Sequence, residues 1–256
     1  MCMGFGCNAA GVVGCRIISG KRERLIAILT NSFVPCNGRF PMLIALISLF
    51  LAGNSGGSAA GSLTAAGVLA LVVVFSAAAT LAVSFILSKT LLRGESSAFT
   101  LELPPYSVPR IGQVIVRSVL DRTLHVLGRA AAVAAPWGLA VYALANISAG
   151  GETLLSWFCS WLDPAARLIG LDGVILAAFI LGLHANELVI PIMLMAYTSG
   201  SCLTEISSYA ALSEVLSGNG WTAMTAVSAV LFTLMHSPCS TTLLTIKKET
   251  GSIGWT

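Results

Sequence analysis

The sequence predicts an all-α, polytopic membrane protein built with broken and re-entrant helices. Three observations carry that prediction. Hydrophobic residues make up 56% of the 256 positions and charged residues only 10%, with a mean hydropathy of +0.87, whereas a soluble domain carries about 25% charged residues. Most Lys and Arg gather in Arg16–Arg24, Lys89–Arg129 and Lys247–Lys248, the clustering of cytoplasmic loops. The apolar runs are interrupted at interior positions by Gly, Pro, Asn, Cys, His and Glu, where a plain lipid-facing helix would least tolerate them.

The same composition excludes other classes. A net charge of +3 without basic runs interleaved with exposed aromatics gives no support to nucleic-acid binding. Seven cysteines, an odd number scattered through apolar segments, do not form a disulfide framework. Met1–Ser19 lacks a basic region ahead of an apolar core, so no cleavable signal peptide is predicted. The chain begins inside an apparent membrane segment and ends just after a basic cluster, which predicts a piece of a longer protein.

In chain order, Cys2–Ile18 is apolar but punctuated by Gly4, Gly6, Cys7 and Asn8, allowing close backbone approach or local unwinding at about 1 kcal/mol of helix propensity per Gly. Lys21, Arg22 and Arg24 mark a cytoplasmic edge. Leu25–Gly53 is apolar again, broken near its middle by Pro35, Cys36, Asn37, Gly38, Arg39 and Pro41, so two half-length pieces are predicted. Gly53–Gly61 is an uncharged external loop and Leu63–Leu92 a clean apolar span. Pro104, Pro105 and Pro109 make Glu95–Pro109 a loop. Arg110–Arg129 places Arg110, Gln113, Arg117, Asp121 and His125 on one face and reads as a cytoplasmic surface helix. Ala130–Ile147 is the next span. Leu154–Leu168 has Trp157 and Trp161 on its apolar face and belongs at the outer interface.

Gly173–Thr198 is the stretch around which the rest is arranged. At 1.5 Å per residue it would reach about 39 Å as one helix, enough to span. Yet it holds Gly182, His184, Asn186, Glu187 and Pro191. Full crossing would place the following loop, which lacks Lys and Arg, in the cytoplasm and Lys247 outside, against the charge bias. A re-entrant, broken element removes that conflict. Trp221–Met235 is a further apolar run ending in His236, Ser237, Pro238 and Cys239, before a short helix that reaches Lys247 and Lys248.

The two halves carry paired interruptions. Gly6, Cys7 and Asn8 in the first correspond to His184, Ala185 and Asn186 in the second, and Pro35, Cys36 to Pro238, Cys239. Interruptions at corresponding positions of two halves point to a transport site between internal repeats.

Gly4–Asn8, the Arg22–Leu25 run, Pro104–Tyr106, Pro238–Cys239 and the Lys247–Ser252 run, in this order and spacing, resemble the membrane domain of FeoB-type ferrous iron transporters, over essentially the whole chain. The resemblance implies a multi-pass protein of the bacterial inner membrane that imports Fe(II) between two Gate-like halves, residues 1–93 and 130–256, with 94–129 as the cytoplasmic loop and surface helix. It implies a transporter rather than an enzyme: the family's GTP-binding domain precedes this region, and no GxxxxGK[ST] phosphate loop occurs here. GTP would act only through that domain. The lipid bilayer, that domain, small cytoplasmic Feo proteins and further copies of the chain are the implied partners, and no nucleic acid is.

The sequence departs from the family at three places. Ala10 stands where the first motif carries proline, and the following Gly11 supplies the flexibility instead; Asn186 replaces a lysine in the second-half motif, removing a buried cation beside Glu187; and His236 stands where tyrosine is common.

Fe(II) must shed water to cross, and imidazole, thiolate and carboxylate suit a borderline divalent metal. Cys7, Asn8, Cys36, His184, Asn186, Glu187, His236 and Cys239 are the candidate ligands, all at predicted breaks. Conduction requires weak or successive binding, so no closed tetrahedral site is expected. Each candidate has a bland counterpart. Membrane cysteines are ordinarily small apolar fillers, and Cys2, Cys15, Cys159 and Cys202 are read so. His125 is read as a solvated surface residue. His184 and His236 could equally cap broken helices. Glu187 is the strongest case, because an unpaired carboxylate at membrane depth is destabilising without a role; Arg39 neutralises it or snorkels. A Gate-type carrier of an organic solute such as a nucleoside is the alternative function, and a structural membrane subunit with its breaks filled by internal packing is a third.

Overall fold

The computed structural model describes residues 2–51, 59–92, 112, 115–116, 124–149, 151–200 and 209–255. The described residues form helices and turns, apart from a two-residue antiparallel ladder of β1 (Ser148–Ala149) with β2 (Glu152–Thr153). The helices are α1 (Asn8–Gly14), α2 (Lys21–Thr30), α3 (Phe40–Leu46), α4 (Ala59–Lys89), α5 (His125–Asn146), α6 (Leu154–Arg167), α7 (Gly173–Leu181), α8 (Val189–Tyr197), α9 (Tyr209–Gly218), α10 (Ala223–Met235) and α11 (Ser240–Thr250). The expected loops at 53–58 and Glu95–Pro109, the surface helix as far as 123 save three isolated residues, Cys202 and Glu205 lie outside the described residues.

The predicted breaks are present. Segment Lys21–Leu51 divides into α2, a tight turn at Asn31–Phe33, an irregular stretch through Arg39, and α3 with a wide π-type turn at Ile47–Leu51. Pro41 sits in the first turn of α3, where its missing N–H costs nothing. α10 and α11 divide at His236–Cys239. The central stretch divides into α7, two short turns at Gly182–His184 and Asn186–Leu188 flanking Ala185, and α8.

α7 and α8 fold back on each other. Asp172, just before α7, caps it by accepting from Ile175 N–H at 2.6 Å and also accepts from the hydroxyl of Tyr197, the last residue of α8. Both ends of the segment therefore lie together, and Ala185 is the tip of a helical hairpin. Trp221 Nε1 donates to Tyr197 Oη at 2.9 Å, and the Trp221 ring stacks on Phe50 at 5.8 Å. The break and fold-back expected of Gly173–Thr198 are thus present as a helical hairpin.

The opposite end carries Arg16, Arg22, Lys247 and Lys248. Arg16 binds Glu249 through two hydrogen bonds of 2.8 and 2.6 Å, joining the C-terminal ends of α1 and α11. Arg22, in the first turn of α2, donates to the carbonyls of Ser88 (2.9 Å) and Leu92 at the end of α4, satisfying acceptors that a helix terminus leaves open. α4 therefore runs antiparallel beside α2 and α3, and Ser76, near its middle, donates to Phe33 O at 2.6 Å in the break.

The main core centres on the α7–α8 hairpin, where Ile175, Ala177, Ala178, Ile192, Met193 and Leu194 are buried against α3, α6 and α10. By contrast α4 shows Leu63, Leu71, Val74, Leu81 and Phe85 at the surface. Ala60–Lys89 and the broken Ala223–Thr250 are long and apolar enough to cross a membrane. α5 begins at His125 rather than Ala130 and carries Pro136 inside it. On α6 the buried stripe is Leu155, Cys159, Leu162 and Ala166, so Trp157 and Trp161 turn outward rather than into the protein.

Candidate functional site

Residues Cys36 to Arg39 are where the breaks meet. Between them, the residues of this irregular stretch touch the other three breaks. Asn37 N–H donates to Gly6 O at 3.4 Å, reaching the first break beside Cys7. Cys36 Sγ accepts from Asn186 Nδ2 at 3.8 Å, and a β-carbon at Gly38 would come within 3.2 Å of Glu187 Cγ, so both contact the hairpin tip. Arg39 donates to His236 O at 3.1 Å and Ser237 O at 3.3 Å in the α10–α11 break, and to Ser32 O at 3.1 Å in its own half. One four-residue stretch thus joins interruptions that are about 200 residues apart in sequence.

The two histidines are placed alike. Each follows the end of an apolar helix, and each Nδ1 lies 3.1 Å from the carbonyl three residues earlier, Leu181 for His184 and Thr233 for His236. A carbonyl only accepts, so Nδ1 carries the proton and Nε2 keeps its lone pair. Both histidines therefore cap broken helices through Nδ1, which leaves Nε2 outside that hydrogen bond. The His236 ring is held by Phe179 at 5.2 Å and Phe232 at 5.9 Å, and its Nε2 is buried without a partner among the described residues. His184 lies 5.9 Å from the ring of Trp137, whose indole N–H donates to Leu181 O at 2.6 Å.

The sulfurs differ in setting. Cys7 is exposed at the start of α1, Cys36 is buried, and Cys239 precedes α11 half-buried, sharing a hydrogen bond of 3.3 Å with Thr242. Most of the buried polar side-chain atoms without a described partner belong to these breaks, Asn186 Oδ1, His236 Nε2, Arg39 Nε and Ser240 Oγ, and the other is Asn31 Oδ1 beside Gly4 and Gly11. Buried polar groups are nearly always paired, so these atoms are the ones at the breaks still open to a further partner. Among the described residues no group of three or more His, Cys, Asp and Glu is arranged to hold a metal ion at once.

Three expectations need correction. Glu187 is not enclosed by protein: it is exposed at the hairpin tip over Gly38, while its neighbours His184 and Asn186 are buried. Arg39 neither pairs with Glu187 nor snorkels; it is 1% exposed and held by carbonyl oxygens, which helix ends supply in quantity. Gly11 is needed for contact rather than flexibility, since a β-carbon there would lie 2.6 Å from Asn31 Oδ1.

Asn8 is buried and tied into the framework. With its amide nitrogen facing them, it donates to Val34 O at 3.2 Å and Gly4 O at 3.1 Å, while Asn31 Nδ2 donates to Asn8 O at 2.9 Å. Sequence reasoning passed over Asn31, Trp137, Asp172 and Tyr197. The polar Asn31 inside an apolar run and the Asp172 cap before α7 were legible; the Trp137 and Tyr197 contacts are long-range and were not.

Comparison with known proteins gives a consistent result. Residues 69–121 match the family model for the ferrous iron transport protein B C terminus. The chain is 27% identical over 263 residues to the Fe(2+) transporter FeoB of Staphylococcus aureus (strain COL), covering 100% of this chain and 37% of that protein. It is 27% identical over 271 residues to the Fe(2+) transporter FeoB of Methanocaldococcus jannaschii, with the same coverage. With the Synechocystis Fe(2+) transporter FeoB it shares 28% over 257 residues, 99% of this chain and 39% of that one. The chain thus spans well under half the length of these relatives. No solved structure matches it.

Proposed function

From the premise that this chain is related over its whole length to the FeoB ferrous iron transporters, we propose that it forms the membrane path by which Fe(II) enters the cytoplasm. The observation that carries the reading is the convergence of all four helix breaks on Cys36–Arg39. The relatives supply the identity of the ion. The organic-solute alternative gains no support from the relatives matched.

In this reading the protein is multi-pass in a bacterial inner membrane. α2 with α3, α4, α5, and α10 with α11 cross; the α7–α8 hairpin re-enters from the outside; and the end bearing Arg16, Arg22, Lys247 and Lys248 faces the cytoplasm. The halves 1–93 and 130–256 meet at the breaks, where non-helical backbone lines a polar path rather than lipid. Fe(II) exchanges water in succession for Cys36, Cys239 and Cys7 sulfur, His184 and His236 Nε2, the Glu187 carboxylate and the Asn186 carbonyl oxygen. Asn8 acts on the path by fixing the Val34 and Gly4 backbones. Ligands strung along a path rather than closed round a point let the ion leave as well as bind. A GTP-binding domain and small cytoplasmic Feo proteins are the partners this reading carries over from the family.

Vesicles reconstituted with the chain and given Fe(II) under reducing conditions test it. Cys36→Ser and Cys239→Ser are expected to lower the initial uptake rate about tenfold, roughly 1.4 kcal/mol, while Cys159→Ala on the packed face of α6 leaves it unchanged. Uptake by both serine variants equal to the parent contradicts the proposed path.

A further inference from the structure

Arg39 is the feature that the transport reading leaves unused. It is a fixed positive charge, 1% exposed, in the middle of a path proposed for a cation. No carboxylate pairs with it among the described residues; its partners are the carbonyl oxygens of Ser32, His236 and Ser237. Cys36 and Cys239 lie within electrostatic range of the guanidinium. Three carbonyl oxygens with two flanking sulfurs, drawn from both halves, are the surroundings a transported cation would need. Here a side chain of the protein occupies them.

We propose that Arg39 is a tethered cation standing in the ion's own position, so that the path is closed while its guanidinium holds the Ser32, His236 and Ser237 carbonyls and opens only when it leaves. The reason is electrostatic: a divalent ion cannot share these oxygens with a guanidinium, because the like charges repel strongly in so dry a setting. Exchange of the guanidinium for Fe(II) raises the charge at the breaks by one unit but keeps a cation on the carbonyls, so they are never left unpartnered. Glu187, exposed against Gly38 and without an ion pair among the described residues, is the anionic group on that side of the stretch. Its carboxylate receives the displaced guanidinium. The two halves are thereby bistable: joined through Arg39, or joined through the ion.

This inference rests on the breaks lining the ion's path, and it has a test that does not require transport. Thiol labelling of Cys239 with a positively charged methanethiosulfonate is compared with labelling by a neutral one of similar size, with exposed Cys2 as the internal reference. Both reagents attack the same thiolate in the same surroundings, so the change in their ratio when Arg39 is neutralised reports that charge. In the parent chain the cationic reagent is expected to be disfavoured at Cys239 relative to Cys2 by about tenfold. Arg39→Gln should abolish that discrimination, and Arg39→Lys, which keeps the charge, should retain it. Equal ratios at Cys239 and Cys2 in the parent overturn the proposal even if Arg39→Gln fails to fold. A rise of both reagents' rates together in a folded Arg39→Gln also overturns it, because that is the signature of a mere structural clamp. Fe(II) uptake by the parent, measured separately, decides the transport reading independently.

Discussion

Gly173→Ala is expected to destabilise the fold by about 3 kcal/mol or more, the range of a side chain forced into a packed interior that cannot yield. A β-carbon on Gly173 would lie 2.1 Å from the carbonyl oxygen of Cys159 and 3.0 Å from the backbone nitrogen of Asp163. Both are backbone atoms of α6, so no rotamer change relieves the clash. α7 would have to leave α6 at its first residue. That would also stretch the bond from Gly173 N–H to Asp163 Oδ1, now 3.1 Å, and the Asp172 cap on Ile175. Because Asp172 also holds Tyr197, the mouth of the hairpin would loosen and its tip would shift from Cys36 and Gly38. Thermal unfolding in detergent should show a large fall in midpoint, accompanied by loss of uptake. Gly67→Ala and Gly138→Ala are the controls: nothing lies within 4 Å of a β-carbon at either, and alanine in a helix interior is favoured over glycine by roughly 0.5–1 kcal/mol.

Asn8→Asp is expected to cost about 3 kcal/mol although it changes one atom, since two buried carbonyls each lose a donor at about 1–3 kcal/mol apiece. The amide nitrogen of Asn8 donates to Val34 O and Gly4 O. An aspartate would set an acceptor-only oxygen against two acceptors in a buried site. Val34 lies at the start of the convergent stretch, so the register of Cys36–Arg39 depends on this amide. The substitution also separates two roles for position 8. As a direct ligand of a divalent ion, aspartate would serve as well as asparagine or better; as a backbone clamp, it cannot serve. A variant with a lowered unfolding midpoint and lost uptake fits the clamp, whereas a stable variant with undiminished uptake identifies a ligand.

These two residues show what could be read without coordinates. Glycine, proline and asparagine in apolar runs forecast where the helices break, because each is penalised in a helix interior for a local reason. The fold-back of Gly173–Thr198 was legible from charge bias, since Lys247 had to share a side with Arg16 and Arg22. The candidate residues were legible as polar groups at breaks. Which breaks meet was not, because that depends on contacts such as Arg39 to His236 across 197 positions. The exposure of Glu187 was illegible for the same reason: it is set by the hairpin tip and not by its place in an apolar run. Gly173 gave no sequence signal of close packing, as nothing nearby in the chain names the α6 backbone as its neighbour. The backbone contacts of Asn8 were not legible, because oxygen and nitrogen of one amide are chemically distinct only once their partners are known.

The central claim is that the breaks meeting at Cys36–Arg39 present their sulfur and imidazole groups to Fe(II). X-ray absorption at the iron edge, on the chain loaded with Fe(II) under anaerobic reducing conditions, tests it most directly. The account predicts sulfur among the nearest neighbours of iron, diminished in Cys36→Ser and again in Cys239→Ser. An iron surrounded only by oxygen and nitrogen, with a spectrum identical in the parent and both variants, would contradict it.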